Sequence, residues 1–297
     1  MLISGLLDQI GFTEKNKADY ERYRTMIPEA AIESCAKRYM ARELPMLEVE
    51  PYLQSLATPE VHEYTVNLLF LLACTSYMQE KWKESGYPEA LFVETMKDLK
   101  YKLDECESTY GIWGNFVIWW YETVYHGGLI ALGRLQYRPM VHEGEDVKIG
   151  DFILKAGDFL LDSHIPTGGP ITYEVCEESY RLAYEMFKDK IKGDILPICC
   201  FTWMFYPAYR NLYKPGSNIA NFMHDFVLYD VLETPTFDDA FRLFGSDISK
   251  DKSEWKAENS LQKAFHAYVM THDRFGAGKG LLLFDGERVL TRNYQKD

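Results

Sequence analysis

The chain has 297 residues, a formal net charge of −13, and 47% hydrophobic against 26% charged residues. That length suggests about two domains with a sizeable core. The acidic balance argues against a nucleic-acid partner, which needs a basic footprint, and against an anionic membrane surface. No apolar run reaches the roughly 18 residues of a membrane span, and no basic segment precedes the apolar residues of the N-terminus, so no signal peptide is expected. Six cysteines without any Cys-x-x-Cys pair predict a reduced, cytoplasmic protein.

Residues 1 to about 127 read as helical. Ile27-Pro28-Glu29 opens one helix with proline near its first turn, and Thr58-Pro59-Glu60 opens the next with Thr58 as its cap. Leu99, Leu103, Cys106, Tyr110, Trp113, Val117, Trp120 and Val124 recur at alternating steps of four and three, the pattern of one amphipathic helix. Gly111 and Gly114 interrupt it as a kink or a close helix contact, and Gly127-Gly128 ends it.

The character then changes. Residues 129–137, 147–154 and 158–165 read as strands, with Gly157 suggesting a hairpin between the second and third. A helix is predicted over 172–188, with Thr172 as N-cap and Glu174 in its first turn. Residues 195–204 form a near-continuous apolar run that suits a buried central strand. Short helices follow at 208–212 and 217–224, another apolar run at 226–232, and a helix at 259–268. The strands 281–284 and 288–290 flank an Asp285-Gly286 turn. The predicted fold class is α+β, a helical first part followed by a mixed sheet flanked by helices.

The segment of greatest chemical interest is Phe159-Leu-Leu-Asp-Ser-His-Ile-Pro-Thr-Gly-Gly-Pro-Ile-Thr172, a strand, a glycine loop and a helix start. Free N–H groups at a helix start stabilise an anion, so a phosphate-bearing ligand is the expected guest. Gly168 and Gly169 permit close backbone approach. His164 ends the strand and has the chemistry of a general base, against a purely structural role. Arg134 and Gln136, two apart, face one side of a strand and line either a polar pocket or a solvated face. Asn218 is a capping partner or a ligand contact. The seven histidines show no zinc-ligand spacing, so no metal is expected. Gly-x-Ser-x-Gly, Walker and dinucleotide patterns do not occur. Cys199 and Cys200 on a buried strand are expected to be inert.

Leu132-Gly-Arg-Leu-Gln-Tyr137, His164-Ile-Pro with the following Gly-Gly-Pro-Ile, Ser217-Asn218-Ile219 and Leu261-Gln262-Lys263-Ala264 resemble a family of two-part bacterial acyltransferase-like proteins. These join an N-acyltransferase N-terminal helical domain, here residues 1–128, to a GNAT-like C-terminal domain, here 129–297. The resemblance implies an acyl-CoA held by strand, loop and helix, with Ile165, Thr167, Gly168, Gly169 and Thr172 as contacts. It implies a second strand, 195–204, splaying from the first to admit the thioester. It also implies a tyrosine, chosen as Tyr209 among Tyr206, Tyr209 and Tyr213, that protonates the leaving thiolate. His164 would then deprotonate a small-molecule amine, and Arg134, Gln136 and Asn218 would contact that acceptor. The chain departs from the usual Arg/Gln-x-x-Gly-x-Gly/Ala loop. Arg274-Phe-Gly-Ala-Gly-Lys-Gly280 is nearer in composition but leads into a strand. Two functional readings stand: an acyl-CoA-dependent N-acyltransferase, and a non-catalytic ligand-binding or regulatory protein on the same fold.

Overall fold

In the computed structural model, which describes residues 3–294, helix boundaries follow local capping chemistry. The first unit carries α1 (Ile3–Gln9), α2 (Glu14–Arg24), α3 (Glu29–Met40), α4 (Met46–Ser55), α5 (Glu63–Glu84), α6 (Glu89–Tyr110) and α7 (Tyr121–Tyr125). Pro28 precedes α3 as expected. The helix expected from Thr58 starts later. Thr58 and Val61 exchange backbone hydrogen bonds in a tight turn, and the His62 ring accepts the Tyr64 N–H at 3.1 Å to cap α5. The long stripe expected through Val124 is also two pieces. α6 stops because Gly111 takes a left-handed φ of +70°, and a Cβ on Gly114 would lie 2.5 Å from the Tyr64 carbonyl carbon. Both glycines therefore act, one as a stop and one as a close contact. Among the described residues, no helix is long and apolar enough to cross a membrane.

The chain divides into two units between Ala131 and Leu132, within β1 (Ile130–Leu132). The second unit contains β2 (Leu135–Val141), β3 (Val147–Ile149), β4 (Phe152–Leu154), β5 (Phe159–His164), α8 (Tyr173–Phe187), β6 (Leu196–Thr202), α9 (Asn218–His224), β7 (Val227–Thr234), α10 (Phe241–Phe244), α11 (Ser260–Thr271) and β8 (Phe275–Phe284). The main sheet runs β1-β2-β5-β6-β8-β7, with β5 and β6 parallel and the β2–β5, β6–β8 and β8–β7 pairs antiparallel.

Two expected strands are each broken at a glycine. Gly133 (φ +68°) separates β1 from β2, and Gly150 (φ +58°) turns β3 into β4. β5 pairs with β2 rather than with β4, so the β3–β4 hairpin is an excursion between sheet neighbours. The terminal hairpin is present as a turn, with Asp285 accepting the N–H groups of Glu287 and Arg288. Its second arm is a single Phe284–Val289 bridge that passes into a 3-10 turn.

Strand alternation sorts the side chains onto two faces. Leu161 and Ser163 face α8. The helix is tied to β2 through Ser179, whose hydroxyl meets the Leu135 N–H at 3.2 Å and the Tyr137 hydroxyl at 2.9 Å. Leu160, Asp162 and His164 face the other way, over a cluster that includes Ile149 and Leu154 of the hairpin, Leu281, Leu283, Cys199 and Tyr229. The glycine-rich segment after Arg274 lies within β8, where Gly276, Gly278 and Gly280 share one face. A Cβ at any of them would lie under 3 Å from Phe205, Tyr206 or Phe226. Packing accounts for these glycines, and they form no loop.

Candidate active site

The parallel pairing of β5 with β6 joins Leu161 to Ile198 and Asp162 to Cys199. β6 continues beside β8 to Thr202, while among the described residues β5 has no further register partner on β6 beyond Asp162. The Ser163 hydroxyl donates to the Cys199 carbonyl at 2.9 Å and closes the end of the ladder. His164 is the next residue, so it stands where the two strands cease to pair.

Asp162 is the hub of this face. Its side chain is 12% exposed, and its Oδ2 meets His164 Nε2 at 3.0 Å and accepts from Arg138 Nη2 at 2.8 Å. Oδ1 lies 3.8 Å from the Cys199 thiol. Arg138 is the register partner of Asp162 on β2, as Gln136 is of His164. Burial pushes the Asp162 carboxyl up, but the His164 hydrogen bond and the charges of His164 and Arg138 outweigh it, so its pKa is held below the ordinary value. Asp162 is therefore an ionised acceptor in a nearly dry site. Burial, with Asp162 adding repulsion, drives the Cys199 thiol pKa far up, which disfavours its thiolate.

Tyr229 shares this face. Burial raises its phenol pKa first, and the charge interactions of Cys199, Asp230 and Asp162 add to that. Tyr209 has a different setting. It is fully buried among Trp203, Tyr206, Phe237, Phe265 and Tyr268, with ring centroids 4.9 Å from Tyr206 and 5.2 Å from Tyr268. Its hydroxyl has no well-formed hydrogen bond, the Gly276 amide being its polar neighbour, and burial raises its pKa. Tyr206 covers the glycine face of β8, which alternation sets opposite the His164 face. The structure does not bring Tyr209 to His164.

The loop after His164 runs exposed from Thr167 to Pro170, and Ile171 is buried. Arg134 does not share a strand with Gln136. It lies in the turn at Gly133 and reaches the loop, donating to the Gly169 carbonyl at 2.6 Å from Nη2 and to the Pro170 carbonyl at 3.3 Å from Nε. Gln136 is buried on β2, on the Asp162 face. Gly168 has a positive φ of +153°, and a Cβ on Gly169 would meet nothing within 4 Å, so the loop backbone is open to a ligand. Thr172 precedes α8 as expected but makes no side-chain cap. Glu174 folds back on its own N–H and on the Thr172 hydroxyl, which lowers its carboxyl pKa. Ile165 is half-buried beside His164. Asn218 is exposed in the first turn of α9, where Ser217 supplies the cap.

Asp162, Arg138 and Tyr229 are the residues that sequence reasoning missed. Asp162 and His164 stand two apart in Asp-Ser-His, the spacing of one strand face. Arg138 follows Gln136 at the same period. Tyr229 sits in an apolar run and gives no local signal.

Comparison with known proteins agrees with this architecture. Residues 1–127 match the family model of the N-acyltransferase N-terminal domain, and residues 129–282 match that of the GNAT-like C-terminal domain. No curated protein matches the chain. Among solved structures it is similar to an acyltransferase in complex with decanoyl-CoA, at 18% identity and a TM-score of 0.59, over 95% of this chain and 99% of the other. It is similar also to an acyltransferase bound to decanoyl-CoA and teicoplanin, at 19% identity and a TM-score of 0.60, with the same coverage. A third, an acyltransferase mutant in complex with octanoyl-CoA, gives 17% identity and a TM-score of 0.60 over the same shares of the two chains. At these identities the likeness is one of fold. With an α-helical first unit, a mixed sheet that opens at His164, and both family models matched, the chain belongs to the N-acyltransferase family whose members join this N-terminal domain to a GNAT-like C-terminal domain.

Proposed function

We propose that the chain is an acyl-CoA-dependent N-acyltransferase that moves an acyl group from a thioester to a small-molecule amine by direct attack. The observation that carries this reading is the Asp162–His164 pair at the point where β5 and β6 stop pairing, followed at once by the glycine loop and α8. Three similar structures hold decanoyl- or octanoyl-CoA, which favours a medium acyl chain in the donor.

In this reading the loop amides and Gly168, Gly169, Ile165, Thr167 and Thr172 take the pyrophosphate arm, and Arg134 holds the loop from behind. Displacing Glu174 from the start of α8 frees its N–H groups for phosphate. The amine nitrogen attacks the thioester carbonyl carbon, a C–N bond forms and the C–S bond breaks. His164 takes the proton the amine loses. The departing thiolate takes a proton from a phenol, and Tyr229 suits this better than Tyr209 because it lies on the His164 face; the phenolate regains a proton by way of solvent as the His164 imidazolium gives its own up. The raised Cys199 pKa disfavours an acyl-cysteine route and supports transfer within one ternary complex.

The test is release of free CoA from octanoyl-CoA in the presence of a panel of primary amines that includes teicoplanin. The wild type is expected to release CoA with an acceptor, and His164→Gln to lower kcat by about 10²–10⁴-fold with little change in octanoyl-CoA affinity. Turnover retained in His164→Gln removes the histidine from the mechanism. The second reading, a binding protein without catalysis, draws on the missing loop arginine and on Glu174 at the helix start. Octanoyl-CoA binding without turnover on any amine would favour it.

A further inference from the structure

We propose that Phe201 selects the acceptor. Its ring is the platform on which an aromatic or alkyl body rests while the nitrogen meets the thioester, so the acceptor class is an apolar primary amine, such as an arylalkylamine, rather than a hydroxylated one. The proposal rests on the acyl transfer proposed above and deepens it by naming the class of acceptor and the side chain that recognises it.

The placement follows from register. Asp162 pairs with Cys199 in the parallel ladder. Two residues further along each strand, His164 and Phe201 leave the β5–β6 pairing together and project to one face. Phe201 stands opposite Lys279 on β8, and Lys279 opposite Asp230 on β7, with which it is ion-paired at 3.3 Å. Two residues back along β8, Ala277 stands opposite Leu232. The face that carries His164 thus continues across β6, β8 and β7 as Phe201, Ala277 and Leu232, beside one ion pair.

Exposure separates this end of the face from the other. Phe201 is 47% exposed and Leu232 55%, whereas Leu281 and Leu283, on the same face of β8, are buried in the cluster that includes Ile149 and Leu154 of the β3–β4 hairpin. β6 is an interior strand, flanked by β5 and β8. An aromatic side chain at such a position is ordinarily covered, and an open apolar strip beside a reactive centre marks a ligand surface.

The chemistry of the step names the occupant. His164 takes the proton that the amine loses, so the nitrogen must come within hydrogen-bond reach of the imidazole, on the His164 face. The body of the acceptor then lies on what adjoins His164 on that face across the opening, which is Phe201. Strands lie about 4.8 Å apart where they pair, so an aryl group some two or three bonds from the nitrogen spans the distance. Aromatic rings in that position gain from offset or edge-to-face contact with Phe201 as well as from leaving water.

The test compares 2-phenylethylamine with ethanolamine, two primary amines of similar basicity that differ in the body. Octanoyl-CoA is the donor to the full chain. The wild type is expected to show kcat/KM at least about tenfold higher for 2-phenylethylamine, and Phe201→Ala to bring the ratio within about twofold of one, mainly through KM for the arylalkylamine. The Kd for octanoyl-CoA should stay within about twofold, and Phe201→Trp should keep the preference. A wild type that uses ethanolamine as well as 2-phenylethylamine overturns the proposal, whether or not the variants fold. So does an unchanged ratio in Phe201→Ala. An altered preference between octanoyl- and acetyl-CoA with the acceptor ratio unchanged would assign the strip to the acyl chain and equally overturn it. A wild type that acylates no amine refutes the proposed function, and the subsite is then read by saturation-transfer NMR with octanoyl-CoA present. Transfer to the ring protons of 2-phenylethylamine that is lost in Phe201→Ala would support the subsite, and absence of transfer in the wild type would overturn it.

Discussion

Tyr209, in the 3-10 turn after β6, and Tyr229, on β7, sit in different surroundings. Tyr209 ends in an aromatic cage with its hydroxyl buried and poorly bonded, so the ring contributes packing and the hydroxyl contributes little. Tyr229 is half-buried and packs on the apolar cluster of Leu160, Leu281 and Leu283, against which Cys199 also packs. Replacing Tyr209 by Phe is therefore expected to change stability by about 1 kcal/mol or less in urea unfolding and to leave kcat unchanged. Tyr229→Phe should lower kcat at least about tenfold with the fold intact. The reverse ranking would restore Tyr209 as the acid. Reading the chain alone favours Tyr209 because it falls in a predicted helix after the central strand. Tyr229 lies in an apolar edge-strand run, and only the lateral packing of β7 on β8 shows which face it shares. The same limit hid Asp162 and Arg138, whose partnership depends on the β2–β5 register and on no short-range pattern.

At the scale of elements, the segments that were legible are those with their own punctuation. α8 between Thr172 and Lys188, β6 in its apolar run, and α11 with its Asn259 and Gln262 capping box follow from local chemistry. Segments that depend on a distant partner were not legible. β8 begins at Phe275, six residues before the expected strand at 281, because its glycines read as loop formers. In the folded chain they leave room for the aromatic layer of Phe205, Tyr206 and Phe226. Gly276→Ala would set a methyl 2.3 Å from the Leu232 carbonyl oxygen, which is backbone and cannot rotate away. It is expected to cost at least about 3 kcal/mol in urea unfolding, the upper end of ordinary overpacking. Gly169→Ala, where the added methyl meets nothing, is expected to leave stability unchanged. Equal stability of the two would show that the β8 face is not tightly packed.

At the scale of the molecule, the change from helical to mixed character after Gly128 was visible in the sequence, and the sheet order was not. Strand pairing between β5 and β6 is parallel and non-local, and the opening at its end arises from two strands that follow different neighbours. That opening, with the exposed loop and α8 beside it, carries the central claim that an acyl-CoA binds here. The most direct test is thermal unfolding with octanoyl-CoA at saturating concentration. Binding to the native state alone, at about a hundred times Kd, stabilises by about 2.7 kcal/mol and should raise Tm by roughly 5 °C. Gly168→Asp, folded by circular dichroism, should abolish the rise because a carboxylate then occupies the phosphate approach. No rise in the wild type at millimolar octanoyl-CoA, or an equal rise in Gly168→Asp, would contradict the account.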